Sequence, residues 1–374
     1  MLKKRRLKLK KPVLIFLKTL MAIFVVGLIL LGIYSYQVHD LRKLGYSKIS
    51  SRNILFGGKK EYVLKVGSSK LLNVAFESPF YDEKNLDSYA KIEYQKQENI
   101  IKNINDLIEK GYSNNDISII LAHGNDDDVS NFAKRDKVKY LEEFYSISYA
   151  KLKYYDRYVE YSRQTGEDEE TTVLFVNLGM DGEEYVDYNV IEDFSIDMLV
   201  NKYNRVSQDF LPTDLVEIKS PYASDLGKEA SRIAVLAFKE MYAAASKEGL
   251  GLVINSAYRS YDDQVELCEA YRLLYGDSYV EKYVASPGFS EHQTGLAFDI
   301  GSTTSNIFAE SLEYKWMLDN AYKYGFILRF PKSGQSITGF RSEPWHYRYV
   351  GKEIATYIYE HNITLEEYYA EFLA

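Results

Sequence analysis

The hydrophobic pattern opens with an apolar or weakly polar run of 18 residues, Thr19–Tyr36. At helical rise this run spans about 27 Å, close to the hydrocarbon thickness of a bilayer. It predicts a transmembrane anchor over residues 12–36, preceded by a basic tail, Met1–Lys11, with seven Lys/Arg and no acid. Lys18 sits near the basic end, where its stem can snorkel to the headgroups. The basic flank belongs on the cytoplasmic side, so residues after Tyr36 face outward. A cleaved signal peptide is the alternative. No small-x-small site follows the run and no Cys stands near it, which favours a retained anchor.

Residues 37–205 read as a mainly helical accessory region. Leu41-Arg-Lys-Leu-Gly-Tyr-Ser47, followed by Ile54-Leu55, is echoed 66 residues later by Leu107-Ile-Glu-Lys-Gly-Tyr-Ser113, followed by Ile120-Leu121. In each copy a helix should end at Gly and Ser should cap the next one. Two helix-turn-helix units are expected, with a long helix around Tyr89–Lys110 between them. Asn125–Asp128 reads as a cap before Val129–Phe132. The acidic cluster Glu167–Glu170 reads as a solvated loop before a strand, Thr172–Val176. Neither this cluster nor Asp126–Asp128 has the ligand spacing of a calcium loop. The region is expected to serve as a spacer, or alternatively as a module that binds the wall or a partner.

The texture changes near Tyr203. A helix is predicted over Glu229–Glu248, with Ile233, Leu236, Ala237, Met241 and Ala244 near one face. A strand follows at Leu250–Ala257, a helix at Asp262–Leu274 and a strand at Leu296–Ile300. A helix at Tyr314–Tyr324, a strand at Phe326–Phe330 and a helix at Lys352–His361 complete the pattern. Helices and strands mix without βαβ alternation, so residues 206–374 are expected to form an α+β domain.

Charge sharpens this division. The chain carries −8 and its first 36 residues carry +8, which leaves −16 for the rest. An acidic outward-facing region argues against nucleic acid as a partner. The single cysteine, Cys268, can form no internal disulfide. It falls in a helical pattern with Val265 and Tyr271 and reads as a small buried hydrophobe rather than a nucleophile.

The candidate chemistry lies in two stretches, Ser290-Glu-His292-Gln-Thr-Gly295-Leu-Ala297-Phe-Asp299 and Glu343-Pro-Trp345-His346. They hold two of the five histidines. His292, Asp299 and His346 make a ligand set for one zinc ion, three donors with an open position. Phe298 and Ile300 should point into a core. Ala297 and Gly295, on the Asp299 face, leave room for a metal and a water. Glu343 is placed to take a proton from the attacking water and return it to the leaving amine. An isolated His/Asp pair is commonplace; both stretches together are specific.

At these residues the sequence resembles the VanY-type D-alanyl-D-alanine carboxypeptidases, which share a zinc-peptidase fold with the hedgehog domain. The matching segments are Ser256-Ala-Tyr-Arg259-Ser-Tyr-Asp-Asp-Gln264, Ser286–Asp299, Gly325-Phe-Ile-Leu-Arg329 and Thr338–Gly351. The resemblance covers about 170 C-terminal residues. It implies zinc on His292, Asp299 and His346, Glu343 as general base, and Arg259, Gln264 and Ser290 in contact with substrate. A fixed guanidinium and an amide donor suit a terminal carboxylate and a developing oxyanion. The implied reaction removes the terminal D-alanine of peptidoglycan stem peptides (D,D), or alternatively acts on the tetrapeptide (L,D) with the same zinc chemistry. Phe330 departs from the family pattern, which often has Tyr there.

Two other readings are weaker. A serine peptidase would need Ser-x-x-Lys, Ser-x-Asn and Lys-Ser/Thr-Gly, present only as scattered fragments such as Lys332–Gly334. A non-enzymatic wall-binding module would be expected to lack a ligand or the base, and none is missing.

Overall fold

The computed structural model describes residues 11–374; the predicted basic tail, apart from Lys11, lies outside the described residues. Helix α1 (Lys11–Lys43) is long and apolar enough to cross a membrane, with mean hydropathy 2.7 over its best 18-residue window. A signal sequence would pass the same test. The chain divides into two compact units, residues 11–146 with 151–153, and residues 147–150 with 154–374.

The first unit is helical. It comprises α1, α2 (Lys48–Phe56), α3 (Lys60–Val66), α4 (Lys70–Glu77), α5 (Leu86–Lys91), α6 (Ile100–Glu109), α7 (Asn114–His123), α8 (Asp126–Phe132) and α9 (Leu141–Tyr145). Both Gly-Tyr-Ser segments are turns between helices. Ser47 accepts from the Ser50 amide, and Ser113 forms a reciprocal capping box with Asp116. Leu41 and Leu107, Tyr46 and Tyr112, Ile54 and Ile120 are buried at equivalent places. Gly45 has φ +102° and Gly111 φ +85°, which only glycine adopts cheaply.

The expected long helix at Tyr89–Lys110 is two helices. The chain turns extended at Ile92, and Gln97 Nε2 donates to the carbonyls of Leu121 (3.2 Å) and Gly124 (3.1 Å). No Pro or Gly marks this break; contacts distant in sequence make it.

In the second unit, α10 (Tyr155–Thr165) and α11 (Glu169–Asn177) are followed by two small strand pairs. These are β1 (Asn189–Ile191) with β2 (Asn204–Val206), and β3 (Leu215–Glu217) with β4 (Glu229–Ser231). Thr172–Val176 is therefore helix, not strand. Asp168 caps it by accepting from the Thr171 amide. Leu174 and Leu178 then pack with Ile327, Ile358 and Leu365. The exposed acids Glu167–Glu170 are, in part, the helix's first turn. Because this packing joins α11 to C-terminal elements, residues 154–205 share a unit with the segment after 205.

Helix α12 (Arg232–Lys247) starts three residues later than expected, because Glu229–Ser231 pairs with β3. Its buried stripe is Ala234, Val235, Ala237, Phe238, Met241 and Ala245, whereas Ile233 and Leu236 are exposed. The apolar face is thus rotated from the one expected.

The central sheet is β5 (Leu252–Ser256), β6 (Ala297–Ser302), β8 (His346–Tyr349) and β7 (Phe326–Leu328), in spatial order β5-β6-β8-β7 and antiparallel throughout. Flanking it are α13 (Tyr261–Tyr275), α14 (Asp277–Tyr283), α15 (Leu312–Asn320), α16 (Gln335–Thr338), α17 (Lys352–His361) and α18 (Leu365–Phe372). Phe298 and Ile300 are fully buried, packed in one cluster with Phe238, Met241 and Phe326. Period-2 alternation then turns Asp299 to the opposite face.

Candidate metal centre and substrate cavity

Asp299 and His346 are direct cross-strand partners of β6 and β8. Such partners have Cβ atoms about 5 Å apart. His292 reaches the same point from a short 3-10 turn, Glu291–Thr294, just before β6. Gly295 closes that turn at φ +69°, where an added Cβ would meet the Ser231 amide nitrogen at 3.0 Å. One ligand atom from each of His292, Asp299 and His346 lies within 4.8 Å of the others.

Hydrogen bonds fix both rings. His292 Nδ1 lies 2.6 Å from the Ala257 carbonyl, so Nδ1–H donates and Nε2 faces Asp299 Oδ2 at 3.4 Å. His346 is turned the other way. Its Nε2 is 3.3 Å from Glu291 Oε2, and its Nδ1 is 3.2 Å from Asp299 Oδ1. One nitrogen of each ring is thus committed to a protein acceptor and the other is aimed at the common centre, as metal-binding histidines require.

The electrostatics favour a cation. Burial works against charge on His346, but its hydrogen bonds to Asp299 and Glu291 outweigh it and raise the pKa to about 9. Burial would raise the Asp299 carboxyl too, yet the two histidines hold it far below the usual carboxylate range. His292 goes the other way: burial lowers its pKa, against the pull of Asp299. Two imidazoles and a carboxylate suit zinc.

Glu291 had no role in the sequence reading, yet it is the hub behind the site. Its Oε1 accepts from Arg329 Nε (2.7 Å) and Arg348 Nη1 (2.9 Å). Arg329 in turn donates from Nη1 and Nη2 to Glu366 at 2.8 and 2.7 Å. Glu291, Arg329, Arg348 and Glu366 are all buried. Burial would raise the Glu291 carboxyl, but the two guanidinium groups pull it well below the ordinary range. Four buried charges survive because each is paired. The signal in the sequence was faint: Glu291 and Arg329 lie inside the matching segments, but nothing there links them to Glu366.

A cavity of about 180 Å³ opens over the centre. It is lined by Arg259, Gln264, Ser290, His292, Asp299, Glu343 and His346 among others, so every predicted site residue meets in one place. Glu343 sits on the turn into β8, its amide donating to the Phe330 carbonyl at 3.1 Å. Burial raises its pKa, partly countered by His346. Arg259 donates from Nη1 to Gln264 Oε1 (2.8 Å) and from Nη2 to Ser256 Oγ (3.0 Å). Gln264 Nε2 donates to the Ala285 carbonyl at 2.7 Å, so one end of its amide is anchored there while Oε1 holds Arg259. Phe330 also lines the cavity, its ring centroid 5.1 Å from that of His346. Cys268 is buried beside Gln264, and burial pushes its thiol pKa up, as expected of a packing residue.

Residues 227–352 match the family model VanY, D-alanyl-D-alanine carboxypeptidase. The chain is 43% identical over 179 residues to YodJ of Bacillus subtilis (strain 168), covering 46% of this chain and 66% of that protein. It is 36% identical over 179 residues to a D-alanyl-D-alanine carboxypeptidase of Enterococcus faecium, covering 46% of this chain and 56% of the relative. The matches thus span less than two thirds of each of these relatives. A solved structure of the LdcB LD-carboxypeptidase is 40% identical, covering 49% of this chain and 90% of that one, with a TM-score of 0.46. Through its C-terminal domain, the chain belongs to the VanY D-alanyl-D-alanine carboxypeptidase family.

Proposed function

We propose that this protein is a zinc-dependent D,D-carboxypeptidase that removes the terminal D-alanine from peptidoglycan stem peptides outside the membrane. The observation that carries the reading is the convergence of His292, Asp299 and His346 under a cavity that also holds Glu343 and Arg259.

In this reading, zinc held by His292, Asp299 and His346 supplies Lewis acidity toward the scissile carbonyl and the attacking water. Arg259, pre-set by Gln264 and Ser256, binds the terminal carboxylate of the peptide. Ser290 lines the same cavity and contacts the substrate. Glu343 takes a proton from the attacking water and delivers it to the departing amine of D-alanine. Its raised pKa suits both halves of that shuttle. The L,D reaction would use the same residues and differs in the stereochemistry of the residue before the cut.

Helix α1 acts as a retained anchor in this reading. It continues unbroken through Lys43 and contributes Leu41 to the first unit's core, so no extended segment follows the apolar run. The helical unit then serves as a spacer between membrane and wall.

The deciding experiment incubates the purified protein with penta- and tetrapeptide stems and follows D-alanine release. Release from the pentapeptide that stops with chelator and returns with zinc is expected. Release from the tetrapeptide alone would reassign the bond, chelator-insensitive release would refute the mechanism, and no release from either would refute the activity. Glu343→Ala should be inactive with zinc still bound.

A further inference from the structure

Two guanidinium groups line the cavity, and they are held differently. Arg259 is fixed by Gln264 and Ser256. Arg341 lies on the segment before β8, its Cζ 4.6 Å from the centroid of the Tyr283 ring at the end of α14. This cation–π contact holds the group without satisfying its hydrogen-bond donors. Among the described residues no carboxylate pairs with Arg341. Both guanidinium groups are close enough to Glu343 to favour its charged form.

A peptide has one terminal carboxylate, and Arg259 is the better pre-organised group to take it. The second guanidinium is therefore left for the part of the substrate before the scissile bond. The wall beside it is aromatic: Tyr271, Tyr279 and Tyr283 line the cavity, with the Tyr279 and Tyr283 rings 4.9 Å apart. An unpaired guanidinium beside tyrosine faces suits an aliphatic side chain that ends in a carboxylate.

We propose that Arg341, held against Tyr283, is a binding site for a side-chain carboxylate on the residues preceding the scissile bond. The protein then prefers stem peptides in which that side chain ends in a free carboxylate over those in which it ends in a carboxamide. This subsite rests on the carboxypeptidase reading above and names its substrate class.

The test uses the full-length zinc-loaded protein in detergent and matched stem peptides with a carboxylate or a carboxamide at that side chain. D-alanine release is measured for wild type, Arg341→Gln and Arg341→Lys, and peptide affinity is measured by calorimetry on Glu343→Gln with and without Arg341→Gln. The carboxylate peptide should be preferred about five- to tenfold in kcat/KM and in affinity, as expected for a charge-assisted contact open to solvent. Arg341→Gln should abolish the preference, read as the ratio between the two peptides in kcat/KM and in affinity, and Arg341→Lys should keep part of it. Equal use of the two peptides by wild type would overturn the subsite, as would a preference that survives Arg341→Gln. An equal loss on both peptides with a shifted pH profile would also overturn it, by assigning Arg341 to the electrostatics of Glu343. An affinity preference that Arg341→Gln removes, with no D-alanine released, would refute the hydrolytic reading and keep the subsite.

Discussion

Glu291 and His346 stand 55 residues apart in the chain, yet Glu291 Oε2 lies 3.3 Å from His346 Nε2 while the other ring nitrogen faces Asp299. This single contact sets the tautomer of a proposed ligand. A carboxylate behind a histidine also strengthens it as a donor, and loss of such partners typically weakens metal binding about 10- to 100-fold. Glu291→Gln should therefore lower zinc affinity by that order, read by competition with a chromophoric chelator. Unchanged affinity would remove Glu291 from the metal site.

Farther back, Glu366 on α18 carries a bidentate pair with Arg329, both side chains fully enclosed. Removing one partner strands a buried charge, at a cost of about 3–5 kcal/mol. Glu366→Ala should show that loss in urea unfolding, whereas Glu367→Ala, one residue on, should cost only about 1 kcal/mol through the Thr364 capping box. Similar losses from both would contradict the charge-network account.

Proton and metal compete at His346. Its pKa in the metal-free fold is raised from 6.5 to about 9. A raised histidine pKa means the folded state binds the proton more tightly than the unfolded chain does. The resulting stability is fully present below about pH 6.5 and is lost as pH rises through about 9. The chelated protein should thus lose stability between pH 6.5 and 9, and Asp299→Asn should flatten that slope. Zinc binding should release a proton over the same window and tighten with pH, detectable by calorimetry in buffers of different ionisation enthalpy. A pH-independent zinc affinity across that range would contradict the geometry.

The repeated turns of the helical unit offer a local test. Ser113 accepts from the Asp116 amide while Asp116 accepts from the Ser113 amide. Ser113→Ala should cost about 1 kcal/mol by removing the cap. Chemical denaturation of the full protein, with the first unit followed separately, measures it.

The chain's own pattern determined much of this protein. The apolar run of α1, the two Gly-Tyr-Ser turns and the boundaries of α17 all follow from local propensity and period, because each is decided by neighbours within a few residues. The proposed site residues His292, Asp299, His346 and Glu343 stood out in the sequence because zinc hydrolysis demands those residue types in those contexts. Tertiary contacts decided the rest. Thr172–Val176 has the β-branched composition of a strand but is a helix, since α11 buries its apolar face with elements around residues 327–365. The break at Ile92 comes with bonds from Gln97 to residues 24 and 27 positions away. The lattice of Glu291, Arg329, Arg348 and Glu366 was invisible for the same reason: a buried charge declares itself only when the fold brings its partner alongside.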